Sequence, residues 1–178
     1  MRILKKLFSG ILWLALALLA VAFLLPSIYH VERSIIIDRP PAQVYVQVAR
    51  LSNWSNWNPW SAMDPAAETS ISGIEGQVGS SWSWDGDVLG KGSLTIVDMV
   101  PGRALRSKLV FEAPQYMEAD DYWQFIPEGR ATKVIWANEG HLTYPFGRYA
   151  GLFMDRMMGP DLEQGLHNLK SHLESRAM

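Results

Sequence analysis

Cysteine is absent from the chain, and that one absence excludes disulfides, thiolate nucleophiles and cysteine-ligated zinc together. Acidic residues are absent from the first 25 positions. All 18 acids come later, whereas three of the 16 cations, Arg2, Lys5 and Lys6, come first, so the remainder of the chain carries about five net negative charges. No basic stripe crosses that remainder, which removes the electrostatic case for binding a phosphate backbone. The Gly-x-Ser-x-Gly elbow, the phosphate loop and the dinucleotide fingerprint are missing as well. His30, His167 and His172 have no second ligand at metal spacing, the last two standing five apart on a helix, so neither a zinc site nor any cofactor is expected. No internal repeat or low-complexity segment occurs.

What the start of the chain has instead is Leu7 to Leu25, an apolar run interrupted only by Ser9 and Gly10. A helix of that length reaches about 28 Å, close to the hydrocarbon thickness of a bilayer. The three cations before it put the N-terminus in the cytoplasm and the rest of the protein outside, which is the periplasm in a Gram-negative bacterium. The rival reading is a cleaved signal peptide with Ala20-Val21-Ala22 as the small-x-small site. The apolar run continues past that point, which favours retention as a membrane anchor through residues 7–25. Either reading exports the domain. Residues 1–28 are thus the flank and anchor, and 29–178 a single domain, long enough for one core and too short for two.

Residues 29–38 are rich in β-branched side chains and read as a first strand. Pro40-Pro41 ends it and opens a helix from about Ala42 to Leu51, with Val44, Val48 and Leu51 on one face. Trp54, Trp57 and Trp60 follow, interleaved with Asn and Ser, and Pro59 gives a sharp exit. We expect these indoles to lock short helices onto a sheet, with Asn53, Asn56 and Asn58 capping turns; the alternative is a pocket gate or a contact with lipid headgroups. From Glu68 onward, Gly, Pro and Asp punctuate six strands: 68–72, 79–84, 92–100, 104–112, 116–126 and 132–142. Along the fourth of these, Leu105, Leu109 and Phe111 alternate with Arg106, Lys108 and Glu112, the pattern of an antiparallel sheet covered on one side.

The C-terminal segment supplies the cover. Leu162, Leu166, Leu169 and Leu173 line one helical stripe, and Gly159-Pro160-Asp161 predicts its start. Leu152 to Met158 is expected to be a separate apolar turn or short helix.

This order carries a resemblance. Glu32 to Asp38 followed by Pro41-Ala-Gln-Val-Tyr45, the Trp54/Trp57/Pro59-Trp60 cluster, Thr132 to Trp136 with Gly140, and Gly159 to Lys170 are similar to the SRPBCC superfamily (START-like, Bet v 1-like, polyketide cyclase/dehydrase and lipid transport). The resemblance implies an α+β helix-grip fold: a curved seven-stranded antiparallel sheet wrapped around the last helix, with a cavity between them. It implies a small hydrophobic ligand, such as a lipid, quinone or polyketide-like compound. Fold alone does not fix function, so a cyclase, dehydrase or hydrolase, or a scaffold with a filled core, stays open.

The expected pocket residues are Trp82, Trp84, Leu109, Phe111, Trp123 and Trp136 on the strands, with Phe153, Met157 and Met158 closing one end. Met would give adaptable walls. The candidate acid or base is Asp121, in phase with Met117, Trp123 and Phe125, where burial would raise its pKa. A bulge would instead leave it in water beside Glu118 and Asp120, and that is the preferred reading. Glu139 and His141 fall on the opposite, wet face.

Overall fold

The computed structural model describes residues 2–175; residues 176–178 of the expected domain lie outside them. Helix α1 (Arg2–Leu24) leads into β1 (Ile28–Ile37), α2 (Pro41–Ala49), a 3-10 turn (Leu51–Asn56) and α3 (Pro59–Met63). Strands β2 (Glu68–Ser72), β3 (Ser81–Gly86), β4 (Gly90–Val100), β5 (Ala104–Ala113), β6 (Met117–Glu128) and β7 (Ala131–His141) follow, then α4 (Phe146–Gly151) and α5 (Met154–Ser175). The strands form one sheet in the order β1-β7-β6-β5-β4-β3-β2, and every pairing is antiparallel. The sheet curves around α5, and this is the helix-grip architecture. Short turns join β2 to β7 as successive neighbours, whereas β1 returns to pair with β7 and closes the covered face under α5.

Alternation along the strands produces that face. Leu105 and Leu109 on β5, Trp123 and Phe125 on β6, and Val134 and Trp136 on β7 point inward and are buried. Leu162, Leu166, Leu169 and Leu173 of α5 meet them from the other side. Burying such side chains contributes roughly 1.5–3 kcal/mol each, which is why an otherwise polar helix stays docked.

Two expectations about local structure need correction. Pro59 does not end a helix but begins α3, since Asn58 caps that helix by accepting the Trp60 backbone N–H at 2.9 Å, and a proline costs nothing at a position whose N–H has no helical partner. Helix α5 does not start at Gly159-Pro160 either. It starts at Met154 and runs through Pro160, although an interior proline costs about 3 kcal/mol. Tertiary contacts offset that cost. Arg33 of β1 donates to Asp155 at 2.8 Å, and its guanidinium lies where a Cβ on Gly159 would come within 2.0 Å. Met154 and Met158 pack on the core beside it. The short separate helix exists, but it is α4, eight residues earlier than Met154.

Candidate functional site

Indoles fill the middle of the grip. Trp123 stacks on Trp136 with centroids 4.3 Å apart, and Trp54 meets both edge-on at 6.2 and 6.4 Å. Trp57 also approaches both rings, while Trp82 bridges from Trp54 to Trp84, which touches Phe111. The Trp54 and Trp57 indole N–H groups donate to the carbonyls of Val48 and Gln47, which pins the 3-10 turn to α2. The space between sheet and helix that was expected to be hollow is therefore packed ring to ring. Trp82, Trp84, Leu109, Phe111, Trp123 and Trp136 face inward as expected, but chiefly against one another and the neighbouring core.

The end residues separate. Met158 is half-buried against the core, whereas Phe153 and Met157 are 58% and 65% exposed on the other side of α5. They close no groove. The reason is helical phase: counting back by fours from Leu162 gives Met158 and Met154, so Phe153 and Met157 belong to the neighbouring stripe.

Within the apolar core runs a short polar chain. Asp121 is 1% exposed and faces the interior between Trp123 and Ala119, so the reading that left it in water is overturned: β6 pairs without a bulge, and the register slips fall between β4 and β5. Asn138, its partner across β7, donates to Asp121 Oδ1 at 2.7 Å and accepts the Tyr29 hydroxyl at 2.7 Å. Tyr29 reaches that far because its ring lies over Gly140, where a Cβ would come within 2.5 Å of it. Ser107 stands opposite Asp121 on β5. Asp121 Oδ2, Ser107 Oγ and the Trp136 indole N–H make no aligned hydrogen bond among the described residues. Burial pushes the Asp121 carboxyl up to about 6; the hydrogen bond from Asn138 and the nearby Trp136 indole N–H hold it down, and Asp120 raises it slightly. Burial and the charge of Asp121 push the Tyr29 phenol up to about 12, so it remains a donor. Asn138 and Tyr29 share the inward phase of Val134 and Trp136 or pair beside it, and parity along β7 was the signal for Asn138. On the outer face, Glu139 pairs with His30 Nδ1 at 2.7 Å.

The open space lies at one end of the grip. A recess of about 220 Å³ is lined by Pro26, Ile28, Tyr29, Leu142, Leu152 and Met154, with Arg148 and Asp155 adding charge. Tyr29 links this recess to the buried chain through Asn138. A second depression, about 400 Å³, is a shallow hollow along Arg103, Gln124 and Pro127 at the opposite end of β6.

A family model described as polyketide cyclase / dehydrase and lipid transport matches residues 29–174. The chain belongs to that family. Among solved structures, it is similar to the Zhui aromatase/cyclase from Streptomyces sp. R1128, with 17% identity, coverage of 85% of this chain and 96% of that one, and a TM-score of 0.62. Protein TTHA0849 from Thermus thermophilus shows 19% identity over 84% of this chain and 99% of its own, with a TM-score of 0.61. Protein MLL2253 from Mesorhizobium loti shows 14% identity, coverage of 84% and 99%, and a TM-score of 0.61. At these identities the likeness shows the helix-grip fold alone. No curated protein matches the sequence. Membership in the polyketide cyclase / dehydrase and lipid transport family supports a ligand-binding domain. Outside the matched span, α1 includes one segment, Leu4–Leu24, long and apolar enough to cross a membrane, with mean hydropathy 2.6.

Proposed function

We propose that this protein is a membrane-tethered binding or carrier protein for a small hydrophobic molecule, with residues 1–28 as anchor and 29–178 as the binding domain outside the cytoplasm. The observation that carries this reading is the recess beside Pro26, at the point where the chain leaves α1. Its walls are apolar, with a phenol and a few charged groups, the usual composition of a site that holds an apolar body and orients one polar end. At about 220 Å³ it falls below the roughly 300–1,000 Å³ of a drug-sized pocket, so it suits one segment of an acyl or isoprenoid chain, or a single ring. The binding site thus moves from the middle of the grip to its anchored end. A tether there keeps the recess among lipids and raises their effective concentration without any new contact.

Retention of α1 has its own support. Arg148 donates to the carbonyls of Ala22, Phe23 and Leu25, which satisfies carbonyls that a helix end leaves unpaired. Cleavage after Ala22 would remove the first of these acceptors, together with the Leu18 and Leu19 carbonyls to which Tyr149 and Tyr144 donate.

The test is native mass spectrometry of the full chain released from membranes in mild detergent. A co-purifying apolar molecule that Leu152→Asp releases is the expected result. A chain that arrives empty and binds no member of a fluorescent lipid or quinone series would overturn the reading in favour of a scaffold. An enzyme of cyclase or hydrolase type is the second reading, favoured by the buried Asp121; it requires Asp121→Asn to abolish turnover of a bound ligand while leaving binding intact.

A further inference from the structure

A group of exposed apolar side chains lies around the end of α1. Phe146 on α4 is 83% exposed, and Leu152, Phe153 and Met157 at the α4–α5 junction are 59%, 58% and 65% exposed. Helix α4 is fastened along the last two turns of α1. Tyr149 donates its hydroxyl to the Leu18 carbonyl at 2.6 Å, Tyr144 to Leu19 at 2.9 Å, and Arg148 takes the terminal carbonyls. Ala22 is buried beneath this contact. Three residues, Leu25 to Ser27, separate α1 from β1, so the domain has no slack with which to stand off.

Length then decides where α4 must be. If the domain stood clear of the lipid, the part of α1 left for the membrane would run from Leu7 to Leu18, which is about 18 Å of helix. A bilayer core is about 30 Å thick. Sliding α1 outward to spare α4 would leave the membrane far underfilled and draw Lys5 and Lys6 toward hydrocarbon, which charged side chains avoid.

We propose that α4 and the first turn of α5 are sunk into the outer leaflet of the bilayer that holds α1, with Phe146, Leu152, Phe153 and Met157 in contact with lipid. The inference rests on α1 being a membrane anchor and deepens that reading: it makes the lipid surface a second attachment and turns the recess toward the leaflet. Tyr144 and Tyr149 then occupy the headgroup boundary, where amphipathic rings settle, and Arg148 lies at the helix end. An amphipathic segment attached in this way buries its apolar side roughly 5–10 Å into the boundary.

The absence of cysteine makes single-site labelling direct. The full chain carrying Leu12→Cys, Phe153→Cys, Met157→Cys or Glu128→Cys is labelled with an environment-sensitive fluorophore and reconstituted into phosphatidylcholine vesicles containing a lipid-borne nitroxide quencher. Glu128 sits at the far end of β6, and Leu12 near the middle of α1. Quenching at 153 and 157 is expected to approach that at 12 and to exceed that at 128 about threefold or more. Strong quenching at 12 with 153 and 157 no better quenched than 128 would overturn the sunken placement and leave the anchor standing. Quenching at 12 as weak as at 128 would overturn the anchor, and the placement with it.

Discussion

Asn138 holds Asp121 and Tyr29 in one line, giving an N–H to the carboxylate and taking the hydroxyl of the phenol, each over 2.7 Å. A charged carboxylate has only this aligned contact in an apolar surround, so the folded protein favours its neutral form. The folded value, about 6, lies above the ordinary 3.8, and the sign of the effect follows. Below about pH 4 the group costs nothing; stability falls as pH rises through 4 to 6, because the native state binds the extra proton; above 6 the full cost, of the order of 2–3 kcal/mol, is present. Asp121→Asn should match the parent at pH 3.5 and be more stable by that order at pH 7.5 in denaturant titrations. Parent stability that instead climbs between pH 4 and 6.5, with no gain in the variant, would mean the carboxylate is not held neutral.

The stacked pair Trp123 and Trp136 sets the second expectation. Trp136→Ala should cost about 3–5 kcal/mol, the range for deleting a buried aromatic ring. It should also open a hole between the remaining indoles that accepts a small aromatic. Added indole is expected to raise the melting temperature of the variant and leave the parent unchanged. A parent equally stabilised by indole would show that the middle of the grip already has room.

Arg33 and Gly159 form a third test, because one occupies the space the other leaves. Gly159→Ala should displace the guanidinium, the free end of a flexible side chain, so that the lost Asp155 contact is largely offset by the better helix propensity of alanine and the net change stays within about 1 kcal/mol. In Arg33→Ala that collision disappears, so the double variant should be more stable than the sum of the single effects implies, by about 1 kcal/mol. Strict additivity in chemical denaturation would show that the contact does not shape the helix.

Arg148 offers a fourth. Hydrogen bonds from a charged donor contribute about 1.5–3 kcal/mol, so Arg148→Ala should speed proteolytic cutting between Leu25 and Ser27 by about tenfold or more. Arg148→Lys keeps a charged donor on a shorter, differently shaped head and should fall between. Equal cutting rates in all three proteins would mean that the helix end is not clamped.

Much of the architecture was legible because strands have a period of two and the core has one side. Leu105, Trp123 and Val134 declare their faces without help from distant residues. Asp121 obeyed the same parity, yet the general preference of carboxylates for water argued against it. Its partner Asn138 stands 17 residues away on another strand, and only strand pairing reveals that the carboxylate has a buried donor to accept from. The start of α5 was hidden for a related reason. Gly159-Pro160 is a sound local stop, and the forces that override it come from Arg33, more than a hundred positions earlier. Once the helix is known to pass through Pro160, the stripe from Leu162 extends back to Met158 and Met154, and Phe153 and Met157 fall outside it. The fill of the interior was the least legible part, since an inward indole reads the same whether it faces a ligand or another ring.

The three-residue join between α1 and β1 limits how far the domain can stand from α1. Fully extended, it spans only about 11 Å. With α1 as the proposed anchor, a domain held that closely could not cross a compartment to deliver cargo to a second membrane. On that proposal, any exchange would take place with its own leaflet or with a visitor that comes to it.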